Sequence, residues 1–202
     1  MTSLEHLSIK EKIFNYYKEN NYFEELNKLT FKKKIKVGII DYNCKNGHGA
    51  DTLNLVQILQ TFYNFDIIYI DLEKEKTFSR CVEILIENKV DIIVNTITSQ
   101  EEERIIIPEK IIFISSLDNL SPQKYCFPNN LKNVFVIQSL SQDSVSDTYK
   151  TLGYLNDTYN GNSTAATLAL FYFIIVMNKI HSNKKIINYK NVKKEINEIL
   201  KF

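Results

Sequence analysis

A chain of 202 residues fits one compact domain, because separate cores arise mainly at greater lengths. Apolar residues make up 44% of it and charged residues 24%, which excludes wholesale disorder and low-complexity polymers. With 25 Lys and Arg against 24 Asp and Glu the formal net charge is +1, so no bulk field draws in nucleic acid or anionic lipid.

Residues 3–29 repeat Leu4, Leu7, Phe14, Tyr17, Phe23 and Leu26 at roughly helical spacing behind Ser3, a candidate cap, and predict one or two amphipathic helices. A basic step at 32–34 runs into Ile35-Lys-Val-Gly-Ile-Ile-Asp41, whose β-branched run and abrupt polar end predict a buried strand finishing in a loop. His48 stands at the start of the next helix, in which Leu55, Ile58, Leu59 and Phe62 follow the i, i+3, i+4, i+7 template. A strand over 66–71 comes next. Phe78, Cys81, Val82 and Leu85 form a helical stripe behind the candidate cap Thr77, ahead of strands over 91–95, 110–115 and 133–138. A long apolar helix follows Ser163, and an amphipathic one runs from about Tyr189 to Leu200. Such alternation predicts an α/β fold with a mostly parallel sheet and helices on both faces.

The apolar run Leu168 to Met177 stops at Asn178 and Lys179, short of the ~20 residues of a membrane span. It reads as a buried helix, and no membrane partner is expected. Glu5, His6, Lys10, Glu11 and Lys12 interrupt the stretch where a secretory signal needs apolar residues, so the expectation is a cytoplasmic protein. Cys44, Cys81 and Cys126 are widely spaced, with no Cys-x-x-Cys and no adjoining histidine, and offer neither a disulfide framework nor a zinc site.

Glycine marks where chemistry could sit. The chain has only five, and Gly38, Gly47, Gly49 and Gly161 lie within three residues of Asp41, His48 or Ser163. Loops that present a reactive side chain often need close backbone approach or positive φ. Each residue also has a structural explanation: a solvated carboxylate for Asp41, a turn histidine for His48, an N-cap for Ser163. Together, however, Asp, His and Ser at element junctions make up a nucleophilic constellation.

Their chain order is that of subtilisin-like serine proteases. Asn160-Gly-Asn-Ser-Thr-Ala-Ala166 resembles that family's Asn-Gly-Thr-Ser-Met-Ala, in which the serine opens a core helix. Asn46-Gly-His-Gly49 looks like the Gly-His-Gly-Thr-His segment, and Val37-Gly-Ile-Ile-Asp41 like the strand ending in Asp-Ser/Thr-Gly. The stretch from Glu83 to Asn95 resembles the helix and strand leading to Asn-Met-Ser-Leu-Gly. Ile111 to Asn119 looks like the strand leading to Ala-Ala-Gly-Asn, and Phe127-Pro128 with Val134 and Ile137 is similar to the Tyr-Pro stretch that follows.

The resemblance, spanning roughly residues 35–180, implies a reduced subtilisin-like core over 35–182, with a helical extension over 1–34 and a C-terminal helix over 189–201. It implies a serine endopeptidase that cleaves a peptide or precursor protein through an acyl-enzyme. Asp41, His48 and Ser163 would form the triad, Asn119 would supply the oxyanion-hole amide, and Thr98 and Ser99 would line the substrate edge. No cofactor and no metal are implied. The alternative is an inactive scaffold or subunit in a peptide-maturation complex. This chain departs from the family pattern at several places. Asp41 and His48 are only seven positions apart, Ile97-Thr-Ser-Gln-Glu101 replaces Ser-Leu-Gly-Gly, and His48-Gly-Ala-Asp51 lacks the second histidine. The altered edge leads to the expectation that a protein partner, or a second copy of the chain, completes the cleft. A receiver-like role for Asp41 as phosphoacceptor would require an acidic cluster near the first strand, which is missing.

Overall fold

The computed structural model describes residues 3–28, 34–42, 47–99, 101–118, 126–143 and 145–199. Helices α1 (Ser3–Glu19) and α2 (Tyr22–Asn27) precede strand β1 (Ile35–Asp41), helix α3 (His48–Gln60) and strand β2 (Phe65–Asp71). The short α4 (Leu72–Glu75) and α5 (Phe78–Glu87) lead to β3 (Ile92–Asn95), β4 (Ile112–Ser116), β5 (Val134–Ser139) and β6 (Tyr149–Thr151), and α6 (Gly161–Ser182) and α7 (Tyr189–Ile199) close the chain. The six strands form one sheet in the order β2-β1-β3-β4-β5-β6, every pair parallel. This is the expected α/β architecture.

Strand periodicity divides the core into two layers. Val37, Ile39, Ile92, Val94, Ile112, Ile114, Phe135 and Ile137 point to the face covered by α1, α2, α3, α6 and α7. Ile40, Ile93, Phe113 and Val136 point the other way, onto Phe78, Cys81, Val82 and Leu85 of α5. The stripe read from the sequence is thus the buried face of α5, and Thr77 caps that helix by accepting from the Arg80 N–H at 3.3 Å. Farther along this face, loop residues Ile97, Ile107, Leu117 and Phe127 cover the sheet where no helix lies among the described residues.

Helix α6 is apolar all round, as befits a helix packed on every side. It is long and apolar enough to span a bilayer, yet 94% of its apolar window is buried inside the protein. On its flank α1 packs through Ile9, Ile13 and Tyr17, spaced one turn apart. The Tyr17 ring stacks on Phe171 at 4.4 Å, and its hydroxyl donates to the Leu168 carbonyl at 2.7 Å. Phe14, which the sequence reading put on the buried stripe, is 41% exposed and lies at the rim against Phe23 and Phe62, because the helix turns its Ile9–Ile13–Tyr17 face inward.

Candidate active site

The C-terminal ends of parallel strands converge at one edge of the sheet, the usual location of function in open α/β folds. Asp41 is the last residue of β1, and the register pairs Ile40 with Asn95, so the residue after β3, Thr96, comes alongside it. The Asp41 carboxylate is fully buried and accepts from four donors. They are the Tyr42 N–H at 2.7 Å, the Thr52 hydroxyl at 2.7 Å, the Thr96 hydroxyl, and Nδ1 of His48 at 2.9 and 3.0 Å to its two oxygens. A buried carboxylate needs such satisfaction. Both oxygens thus work to hold the imidazole in one orientation.

His48 opens α3, and Thr52 lies one turn later on the same face, which is why one helix can supply two of the four donors. The start of α3 is drawn against the end of β1 by the Gly49 N–H, which donates to the Tyr42 carbonyl at 2.9 Å. A Cβ on Gly49 would lie 2.1 Å from that carbonyl oxygen and 2.2 Å from the Tyr69 hydroxyl. Both contacts are far inside van der Waals range, and one is backbone. We expect Gly49→Ala to destabilise the fold by about 1–3 kcal/mol. A urea midpoint equal to that of the parent protein would contradict this role for the glycine.

The carboxylate–imidazole bond raises the His48 pKa above its ordinary 6.5. Burial opposes the shift, while the charges of Asp41 and Asp51 add to it. The ring is nevertheless 49% exposed, so it remains accessible to solvent and to a substrate.

Ser163 lies in the first turn of α6. Expected as its N-cap, it is instead the third helical residue, with Asn160 in the capping position. Gly161, at the first helical position, takes φ 79°, a conformation that favours glycine. The shift places the Ser163 N–H among the helix donors that have no carbonyl one turn behind them. Buried Asn162 ties this turn to the sheet by accepting from the Ser139 N–H at 2.8 Å. The Ser163 hydroxyl donates to the Thr96 carbonyl at 3.1 Å. It shares a cavity of about 40 Å³ with His48, Asp51, Thr158, Asn160 and Thr164. Asp41, His48 and Ser163 are therefore brought to one place, with Thr96 touching both the carboxylate and the serine.

Thr98 and Ser99 border a separate cavity of about 180 Å³, together with Tyr42, Phe78, Ile97 and Phe127. The Ser99 N–H donates to the Phe127 carbonyl at 2.8 Å in an antiparallel bridge, so the chain itself pairs with part of this edge. Asn95 braces the preceding turn by donating to the Ile97 carbonyl at 2.6 Å and to Ser115 Oγ at 2.9 Å. Asn119 lies outside the described residues, as does Cys44. Among the described residues no group of three His, Cys, Asp or Glu side chains is placed to hold a metal ion.

The sequence reading missed Thr52, Thr96, Asn95 and Asn162. Thr52 had a signal, its i+4 spacing from His48. Thr96 becomes visible only once β1 and β3 are known to be neighbours.

No protein-family profile and no curated protein matches the sequence. The fold does have counterparts among solved structures. A structure of the PatG macrocyclase in complex with peptide aligns with a TM-score of 0.59 at 10% identity, covering 84% of this chain and 84% of that one. The prenylagaramide maturation protease PagA aligns at 0.60 and 13% identity over 86% of each chain. The chain has a subtilisin-like fold. A second structure, of the PatG macrocyclase domain, aligns at 0.51 and 9% identity over 84% of this chain and 85% of that one. At these identities the likeness is one of architecture.

Proposed function

We propose that the protein is a serine-type peptidase acting on a peptide or precursor protein. The observation that carries this reading is the His48 imidazole, held through Nδ1 by buried Asp41 while its other nitrogen remains available beside a cavity that also receives Ser163. Rotation about the Ser163 Cα–Cβ bond frees its hydroxyl from the Thr96 carbonyl and turns it to the imidazole. His48 then takes the proton as the oxygen attacks the substrate carbonyl, and Asp41 stabilises the imidazolium. The carbonyl oxygen of the tetrahedral intermediate faces the Ser163 N–H at the α6 N-terminus, whose dipole favours negative charge. Asn119 is the second donor in this reading. His48 next protonates the departing amine, and water releases the acyl group; an amine in place of water gives transpeptidation. That one PatG structure is a complex with peptide and that PagA is a maturation protease support a peptide as substrate.

The bond from Ser163 to the Thr96 carbonyl favours a second reading, an inactive scaffold in which this hydroxyl is structural. A peptidyl phosphonate that modifies activated serines separates the two. Labelling is expected at Ser163, identified by mass spectrometry of the adduct. Its rate should rise with pH through a midpoint above 6.5, because the raised pKa keeps the imidazole protonated, and useless as a base, to a higher pH than usual. Absence of labelling of the folded chain at every pH favours the scaffold.

A further inference from the structure

The peptidase reading leaves one charged group beside the site without a task, and the following inference rests on that reading. His48 and Asp51 are three residues apart on α3 and so share a face, and both border the small cavity that receives Ser163. This cavity has no lining residue in common with the one bordered by Thr98 and Ser99. If the acyl part of a substrate lies along Thr98 and Ser99, the departing part meets Asp51, Thr158 and Asn160. Among the described residues no lysine or arginine pairs with Asp51 or lines its cavity, and the charges that act on it are the His48 imidazole, already held by Asp41, and the Asp41 carboxylate behind that ring. The whole chain carries a net charge of only +1, so the negative character is local to this wall. Partial burial raises the Asp51 pKa, with His48 opposing the shift and Asp41 adding a smaller push upward. The cavity holds only a few water molecules, which suits the tip of a side chain rather than a whole one.

We propose that Asp51 recognises a cationic side chain, lysine or arginine, on the residue immediately after the scissile bond. The carboxylate meets the ammonium or guanidinium at the rim while the apolar stem lies along the α3–α6 groove. Asp51 is a specificity-determining residue here and takes no part in bond breaking.

The test is digestion of a mixed peptide library by the full chain, with the new N-termini read by mass spectrometry, alongside a p-nitrophenyl ester whose leaving group carries no cation. Cleavage before Lys or Arg should exceed cleavage before Leu by about fivefold, the scale of a partly exposed ion pair. Asp51→Asn should abolish that ratio, and Asp51→Lys should invert it toward Asp and Glu. Circular dichroism would verify that each variant is folded. No preference in the parent protein, or one that survives Asp51→Asn, overturns the proposal. An equal fall for library and ester, with a displaced pH profile, also overturns it by showing that Asp51 acts through His48. If neither library nor ester is turned over and the phosphonate fails to react, it is the peptidase reading itself that has failed, and this proposal falls with it.

Discussion

Ser163→Ala and His48→Ala are each expected to lower kcat by a factor on the order of 10⁶, and the double variant should be no slower than either alone. In the proposed mechanism the two groups perform one act. A hydroxyl without its base is a poor nucleophile, and the base without the hydroxyl has no proton to take. Independent contributions would instead multiply, and a double variant slower than both single ones by orders of magnitude would show that the two side chains do not act on one proton. Neither substitution should unfold the protein. His48 is half exposed, and the lost Ser163 hydroxyl makes a single bond, to a carbonyl at the end of β3. A kcat within tenfold of the parent for either variant would remove that residue from the mechanism.

Asp41→Asn is expected to lower kcat by about 10⁴-fold while the chain still folds. An amide at this position offers only one acceptor oxygen to donors from Tyr42, Thr52, Thr96 and His48, and its NH₂ faces groups that themselves donate. The imidazole then loses the partner that fixes its tautomer and supports its positive form. The apparent pKa in the rate profile should fall, since the Asp41 hydrogen bond is the largest cause of its elevation. A stability loss of about 1–3 kcal/mol should accompany the change, from buried donors left without an acceptor. A rate profile that keeps its midpoint would mean that Asp41 does not set the His48 charge.

Much of the scaffold was legible because the buried strands are short β-branched runs and the helices carry 3.6-residue periodicity. β1, β3, β4, β5 and α5 emerge almost as their sequences suggest. β6 escaped because Tyr149–Thr151 is a three-residue edge strand, too short for a pattern, and α4 because its four residues bury no side chain. The start of α6 was misplaced by three residues, since a serine before an apolar run looks like a cap while Asn160 holds that position and Gly161 begins the helix. At the candidate site, Asp41 and His48, which the structure places in contact, stood out by their junction positions and glycine neighbours. Thr96 was invisible because its contact with Asp41 depends on sheet order, which a linear pattern does not encode.

The burial of α6 carries a further implication for the chemistry at its tip. The proposed nucleophile is mounted on a rod clamped by Tyr17 and Tyr22 of the opening helices and by Phe135 of β5, with little room to tilt or slide. Reorienting the serine hydroxyl is therefore a matter of one torsion angle, with the peptide chain beneath it held still. The opening helices, far away in sequence from any reacting atom, serve as the vice that keeps the tool aligned.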